Sequence, residues 1–191
     1  AMLRLHHAPR SRSSRIVWLL EELKADCEIV YTTITRQDGS GDEDDANPHP
    51  DKKVPALVHD DVLITESSAI VLYLTDLFPE AGLGPQPKDP KRGEYLSWLF
   101  YYSGVIEPVV TFEFAGLGEN PALIRTFRGR AEMDRRIMEA LKNRGVQLTV
   151  VEMGDRMVPR MMTPAAGAMI RRWCEREGVT VRELQYLQED R

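Results

Sequence analysis

The chain is short of cysteine, of aromatic residues and of long apolar runs. Its 191 residues hold two cysteines, Cys27 and Cys174, far apart and in no metal-ligand spacing. That excludes a disulfide-stapled fold and a C-x-x-C redox or zinc motif, and it points to a reducing, cytoplasmic setting. Both thiols are expected in the core. No stretch approaches the roughly 18 consecutive apolar residues of a membrane span, so no membrane partner is expected. An excess of one charge sign is also missing. The formal net charge is -5, with acids spread among the basic residues, which argues against nucleic acid as a partner. Asp38, Asp42 and Asp44 suggest calcium, but the glycine and terminal glutamate of an EF-hand are out of register, so no metal is expected. There is no internal repeat. The N-terminus turns polar and Arg-rich by Arg10, unlike a signal peptide, and Ala1 before Met2 is read as an expression scar.

What is present suffices for a core. Hydrophobic residues make up 42% and charged residues 29%, an ordinary globular balance for one large domain or two small ones. Residues 3–7 alternate like a short strand before Pro9 breaks them. Ile16, Val17, Leu19, Leu20 and Leu23 fall on one helical face, with serines ahead of them as candidate caps. Cys27 to Thr35 is rich in β-branched residues and predicts a second strand, which completes a βαβ unit. Residues 37–53 are acidic and turn-rich and predict a solvated loop. Pro55–His59 and Val62–Thr65 predict a hairpin turning at Asp60-Asp61. Thr65 is placed to cap a helix in which Ile70, Tyr73, Leu74 and Leu77 share a face.

Prolines and glycines from Pro79 to Pro90 predict a linker. Beyond it Tyr95, Trp98, Leu99, Tyr102, Ile106 and Val109 hold helical spacing across Gly104 and Pro108, where a kink is expected. Asn120-Pro121 predicts the start of a long helix through Arg144, and Thr163-Pro164 the start of another. Thr180 to Glu183 matches the capping-box spacing of a short final helix. Val146 to Met153 alternates like a strand that a helical domain does not need.

A strand at Pro55 raises a question, since proline lacks the backbone donor of a ladder. The order βαβ, loop, hairpin, helix with proline at the strand head resembles the thioredoxin-like pattern. With the proline-rich linker and helical second half, the chain resembles the glutathione transferase superfamily. The matching residues are Lys53-Val54-Pro55-Ala56-Leu57, the pair Glu66-Ser67, and Ser11-Arg12-Ser13-Ser14-Arg15. The run Trp18-Leu19-Leu20-Glu21-Glu22-Leu23 is similar to bacterial and fungal members. The resemblance covers residues 2 to about 142, and the C-terminal fifty residues depart from the family pattern. It implies a thioredoxin-like α/β domain at 2–79, a linker at 80–90 and an all-α domain at 91–191.

The resemblance also implies a site. The family's proline is cis, which leaves the backbone of Val54 open to pair with the cysteinyl residue of glutathione as an added strand. Ser67 and the helix N-terminus would bond the γ-glutamyl carboxylate, and Glu66 the ammonium. On sequence statistics alone the pair is a helix cap with an acid in its first turn. Lys53, with Lys52 or His49 beside it, would meet the glycyl carboxylate, unless the lysines are simply solvated. Thiol activation falls to Ser11, with Ser13 the second choice and Arg12 or Arg10 supplying positive field. A free thiol titrates near ~8.5, and lowering that by about two units takes ~2.7 kcal/mol. One hydroxyl hydrogen bond to a charged group gives roughly 1.5–3 kcal/mol, and a helix N-terminus about 0.3–1 kcal/mol. The bland alternative is that these serines only cap the helix.

A small hydrophobic electrophile would lie against Tyr101, Tyr102 and Phe112, with Phe114 nearby. A homodimer is expected through residues 66–78 and 91–110. The implied activity is conjugation of glutathione to such electrophiles, as in detoxification. The competing class is a non-catalytic module of the same fold that binds a protein, and retention on immobilised glutathione followed by an electrophile panel separates the two.

Overall fold

A computed structural model describes residues 2–145 and, beyond them, 147, 149–152, 168, 171–172, 174–176 and 178–183. Strand β1 (Leu3–His7) leads into helix α1 (Ser14–Leu23) and strand β2 (Cys27–Tyr31), which pairs parallel to β1. A hairpin follows, β3 (Ala56–His59) and β4 (Val62–Thr65), then helix α2 (Ser67–Leu77). The sheet order is β2-β1-β3-β4, with β3 antiparallel to both β1 and β4. This is the expected thioredoxin-like α/β arrangement. The second strand stops at Tyr31, short of the expected Thr35.

The alternation that marked β1 sends Leu3 and Leu5 into the core, where they meet Ile16, Leu20 and Leu23 of α1, Leu57 of β3 and Ile70 and Leu74 of α2. Ile16, Leu20 and Leu23 recur at i, i+4 and i+7, so one face of α1 is buried while Trp18 stands exposed. Thr65 is not the cap of α2. It belongs to β4, paired with Ala56, and Glu66 occupies the cap position without a side-chain cap bond.

The segment after α2 holds a 3-10 turn at Pro79–Ala81 and leads to helix α3 (Arg92–Tyr101). Three polar contacts fasten α3 to α2. The Arg92 guanidinium forks onto both carboxylate oxygens of Asp76, at 2.7 and 2.8 Å, and also donates to the Pro85 carbonyl. Thr75 and Tyr95 share a hydroxyl bond of 2.8 Å, and Ser68 donates to the Leu99 carbonyl. Gly84 lets the connection pass close to α2, because a Cβ there would stand 2.8 Å from the Cβ of Thr75. The kink expected around Gly104 and Pro108 is a π turn, Tyr102–Ile106, before helix α4 (Glu107–Phe114).

The chain divides into two compact units, residues 1–112 and 113–191. The second unit is largely helical where described. Asn120 caps helix α5 (Pro121–Phe127), its side chain accepting from the backbone of Ala122 and Leu123. The single long helix expected here is instead two, because Arg128 (φ 80) and Gly129 break the chain before helix α6 (Arg130–Lys142). The alternating segment does form a strand, β5 (Thr149–Glu152). Its parallel partner is β6 (Thr180–Glu183), so the T-x-x-E spacing there caps no helix. Pairing with β5 outweighs the capping pattern at these residues, where β-branched Thr180 and Val181 favour a strand. The helix start expected at Thr163-Pro164 and the Gly154-Asp155-Arg156 stretch lie outside the described residues.

Cys174 is buried, whereas Cys27, at the start of an edge strand, is only half-buried. Burial pushes the Cys27 thiol up to about 11. It should therefore alkylate about 100-fold more slowly in the folded protein than after unfolding, at pH 7.5, because the thiolate is the reacting form. Mass spectrometry of iodoacetamide-treated samples checks this, and equal rates would contradict it.

Candidate functional site

The register of the sheet gathers the sequence-predicted residues at one end. Ala56 stands opposite Thr65 and opposite His6, so Pro55, Glu66 and His7 all leave the sheet on the same side. The loop from β1 into α1, the entry to β3 and the start of α2 therefore meet there. The Val54–Pro55 bond is cis, as expected.

A cleft of about 750 Å³ opens at this end, lined by Ser11, Arg12, Lys53 and Val54 from the expected set, together with Arg10, Arg15 and Arg36. Five cationic side chains face one acidic one, Asp38, which is turned onto Ser40. Such a cleft suits an anion. Arg12 does not offer its full charge, because its Nε is bound to Glu107. Glu107 also lies 3.5 Å from Arg15, whose guanidinium stacks 4.6 Å over the Tyr102 ring and bonds its hydroxyl.

The two candidate serines differ sharply. Ser13 is sealed from solvent, and its hydroxyl lies 2.7 Å from His7 Nδ1 and 2.6 Å from the Ser11 hydroxyl. Ser11 is partly exposed, lines the cleft and donates to the Ala8 carbonyl at 2.7 Å. Although Ser13 occupies the cap position of α1, its side chain makes no cap bond. Ser13 thus supports Ser11 from behind and does not reach the cleft.

Glu66 is exposed and holds φ 67, a left-handed value unusual for a residue with a Cβ. Its carbonyl accepts from Ile70, which starts α2 with Ser67 half-exposed in the first turn. Glu66, Ser67 and Pro55 are not among the cleft-lining residues, and Pro55 is buried. Of the aromatic set, Tyr101 is buried against Trp98, with ring centroids 5.3 Å apart, and Phe112 is half-buried in α4. Tyr102 reaches the cleft only through Arg15.

Residues 37–53 are more than a solvated loop. Asp44 accepts from Thr32 and from the Ala46 backbone. Asn47 is fully buried, donating to the Lys53 carbonyl and accepting from the His49 N–H, both at 3.0 Å. His49, a candidate helper of Lys53, is also buried and accepts from the Asp51 backbone. Lys52 is spent on the carbonyls of Asp45 and Asn47, which leaves Lys53 to the cleft. Sequence reasoning missed Asn47 and His7. An asparagine two residues before a histidine was a weak signal for a turn, and His7 in an apolar strand carried none.

Burial lowers the pKa of both His6 and His7. Unfolded, each takes a proton near ~6.5, while folded each resists it. The unfolded chain therefore binds more protons below about 6.5, and stability should fall as pH drops through that value. Thermal melts from pH 7.5 to 5.5 should show a falling midpoint, and a flat one would contradict the burial of these rings.

Residues 5–84 match the family model described as the glutathione S-transferase N-terminal domain. Glutathione S-transferase 3 of Schizosaccharomyces pombe is 34% identical over 110 residues, covering 57% of this chain and 44% of that protein. The chain thus spans under half the length of such curated relatives. A glutathione S-transferase structure from Actinobacillus pleuropneumoniae is 26% identical with a TM-score of 0.59, over 74% of this chain and 66% of that one. A sphingomonad glutathione S-transferase complexed with glutathione is 28% identical with a TM-score of 0.50, over 74% of this chain and 69% of that one.

Proposed function

Because the chain belongs to the glutathione transferase superfamily, we propose that it binds glutathione at this end of the sheet, stabilises its thiolate and joins the whole tripeptide through that sulfur to a small electrophile. The observation that carries the reading is Ser11, a hydroxyl donor in a cleft crowded with cations. The tripeptide would lie with its cysteinyl backbone along Val54 and its glycyl carboxylate toward Lys53. Its γ-glutamyl end would reach the start of α2, where Ser67 and the helix N-terminus take the carboxylate and Glu66 the ammonium. The left-handed backbone of Glu66 supports this placement, since such conformations cluster at ligand clamps.

The electrophile would approach from the side of Arg15 and Tyr102, whose stacked pair borders the cleft. Sulfur attacks as the thiolate, so the rate follows the fraction ionised at the working pH. A column of immobilised glutathione, then ultraviolet thiolate absorbance and a panel of electrophiles, tests the reading. Retention with thiolate absorbance near pH 7 and turnover on part of the panel is expected. No retention would defeat it, and retention without thiolate would leave only a binding module.

A further inference from the structure

We infer that His7 is a positioning residue for the thiol chemistry, holding the Ser11 hydroxyl through Ser13 so that its hydrogen is what the cleft receives. The inference deepens the glutathione reading and rests on it. The Ala8 carbonyl can only accept, and Ser11 Oγ lies 2.7 Å away, so the Ser11 hydrogen points there in the free protein. Ser13 Oγ lies 2.6 Å from Ser11 Oγ, and with the Ser11 hydrogen spent, Ser13 must supply the one between them. His7 Nδ1 lies 2.7 Å from Ser13 Oγ, and with the Ser13 hydrogen spent, the imidazole must supply the next. Reversing the order would press two acceptor oxygens together at 2.7 Å without a hydrogen.

The lone pairs of Ser11 are then occupied, one by the Ser13 hydroxyl and one by the Ser13 backbone N–H at 3.2 Å. Ser13 Oγ in turn lies 3.3 Å from the Ala8 N–H. Ser11 has only a hydrogen left to offer. When the bound thiol ionises, its proton passes to water and the Ser11 side chain swings its hydroxyl off the Ala8 carbonyl to donate to the sulfur anion, so that the two oxygens move apart from the 2.7 Å at which they meet in the free protein. No net proton crosses the serine pair.

His7 suits this role by its surroundings. It is buried, its ring meets the edge of Tyr31 at a centroid distance of 5.8 Å, and no carboxylate, lysine or arginine hydrogen-bonds it among the described residues. Burial keeps the ring neutral, so it carries one N–H, and the contacts place that hydrogen on Nδ1. Without that donor, Ser13 Oγ has a vacant lone pair that draws the Ser11 hydrogen inward.

The test uses two substitutions in the full chain. His7→Leu removes the donor, whereas His7→Asn keeps an amide N–H at similar reach. In the glutathione complex, His7→Leu should raise the thiol's apparent pKa by about one unit and lower turnover at pH 7 about 5- to 10-fold. The KM for glutathione should stay within about twofold, and His7→Asn should restore both readouts. Two variants that both match wild type, or both lose activity alike while folded, would overturn the inference. Should His7→Leu fail to fold, nitrogen-15 spectra of wild-type imidazoles decide: a protonated Nδ1 on His7 is expected, and a bare one overturns the role. A wild-type complex with no thiolate overturns the glutathione reading itself, whereas a thiolate beside a bare Nδ1 overturns only the part given to His7.

Discussion

Ser11→Ala should lower turnover near neutral pH about tenfold while glutathione affinity stays within about twofold. The size follows from an exchange of partners. Free, the hydroxyl donates to the neutral Ala8 carbonyl; in the complex it would donate to a sulfur anion. A neutral hydrogen bond nets about 0.5–1.5 kcal/mol and one to a charged group about 1.5–3 kcal/mol, so the gain is roughly one to one and a half. That lowers the thiol pKa by about one unit, half of what the full charged bond would give. Activity in the variant should recover as pH rises toward 9, where the thiol ionises unaided. Thiolate absorbance titrated in both proteins measures the displacement directly. Coincident titrations with undiminished turnover would remove Ser11 from the chemistry.

The second large effect is expected away from the ligand. Asn47→Ala should destabilise the fold by about 2–4 kcal/mol, because the Lys53 carbonyl and the His49 N–H each lose a buried partner. For a chain of this size that is a fall of roughly 5–15 °C in the melting midpoint. Glutathione retention should weaken about tenfold in the same variant, since Asn47 fixes the carbonyl next to Val54 and 1.4 kcal/mol of lost order is worth about that factor. Asn47→Asp, which keeps the acceptor and loses the donor, should lie at least as low in stability. A midpoint within about 2 °C of wild type would show that the loop holds itself without Asn47.

Much of the α/β half was legible because its signals are periodic. Leu3 and Leu5 alternate, Ile16, Leu20 and Leu23 recur each turn, and Asp60-Asp61 separates two short apolar runs. The cleft residues Ser11, Lys53 and Val54 were legible through the family's motif rather than through any local pattern. What escaped were contacts between segments that say nothing about each other in sequence. His7 and Ser13 meet only because β1 turns back onto the start of α1. Asn47 looks like any loop asparagine until Lys53 is folded against it. Thr180 to Glu183 failed for the opposite reason: a local signature was present, and a distant strand overruled it.

The clasp between Asp76 and Arg92, with Thr75 on Tyr95 and Ser68 on Leu99, separates position from connectivity. Helix α3 is located by what it touches on α2, so the residues between them serve as a tether. Lengthening a flexible tether costs only about 0.6 kcal/mol for each doubling of its length. That stretch is therefore free to gain or lose residues over evolutionary time around the exposed Pro87 and Lys88, clear of Gly84 and Pro85, and it is a natural place to open the chain for a circular permutant or to insert a reporter domain without moving the cleft.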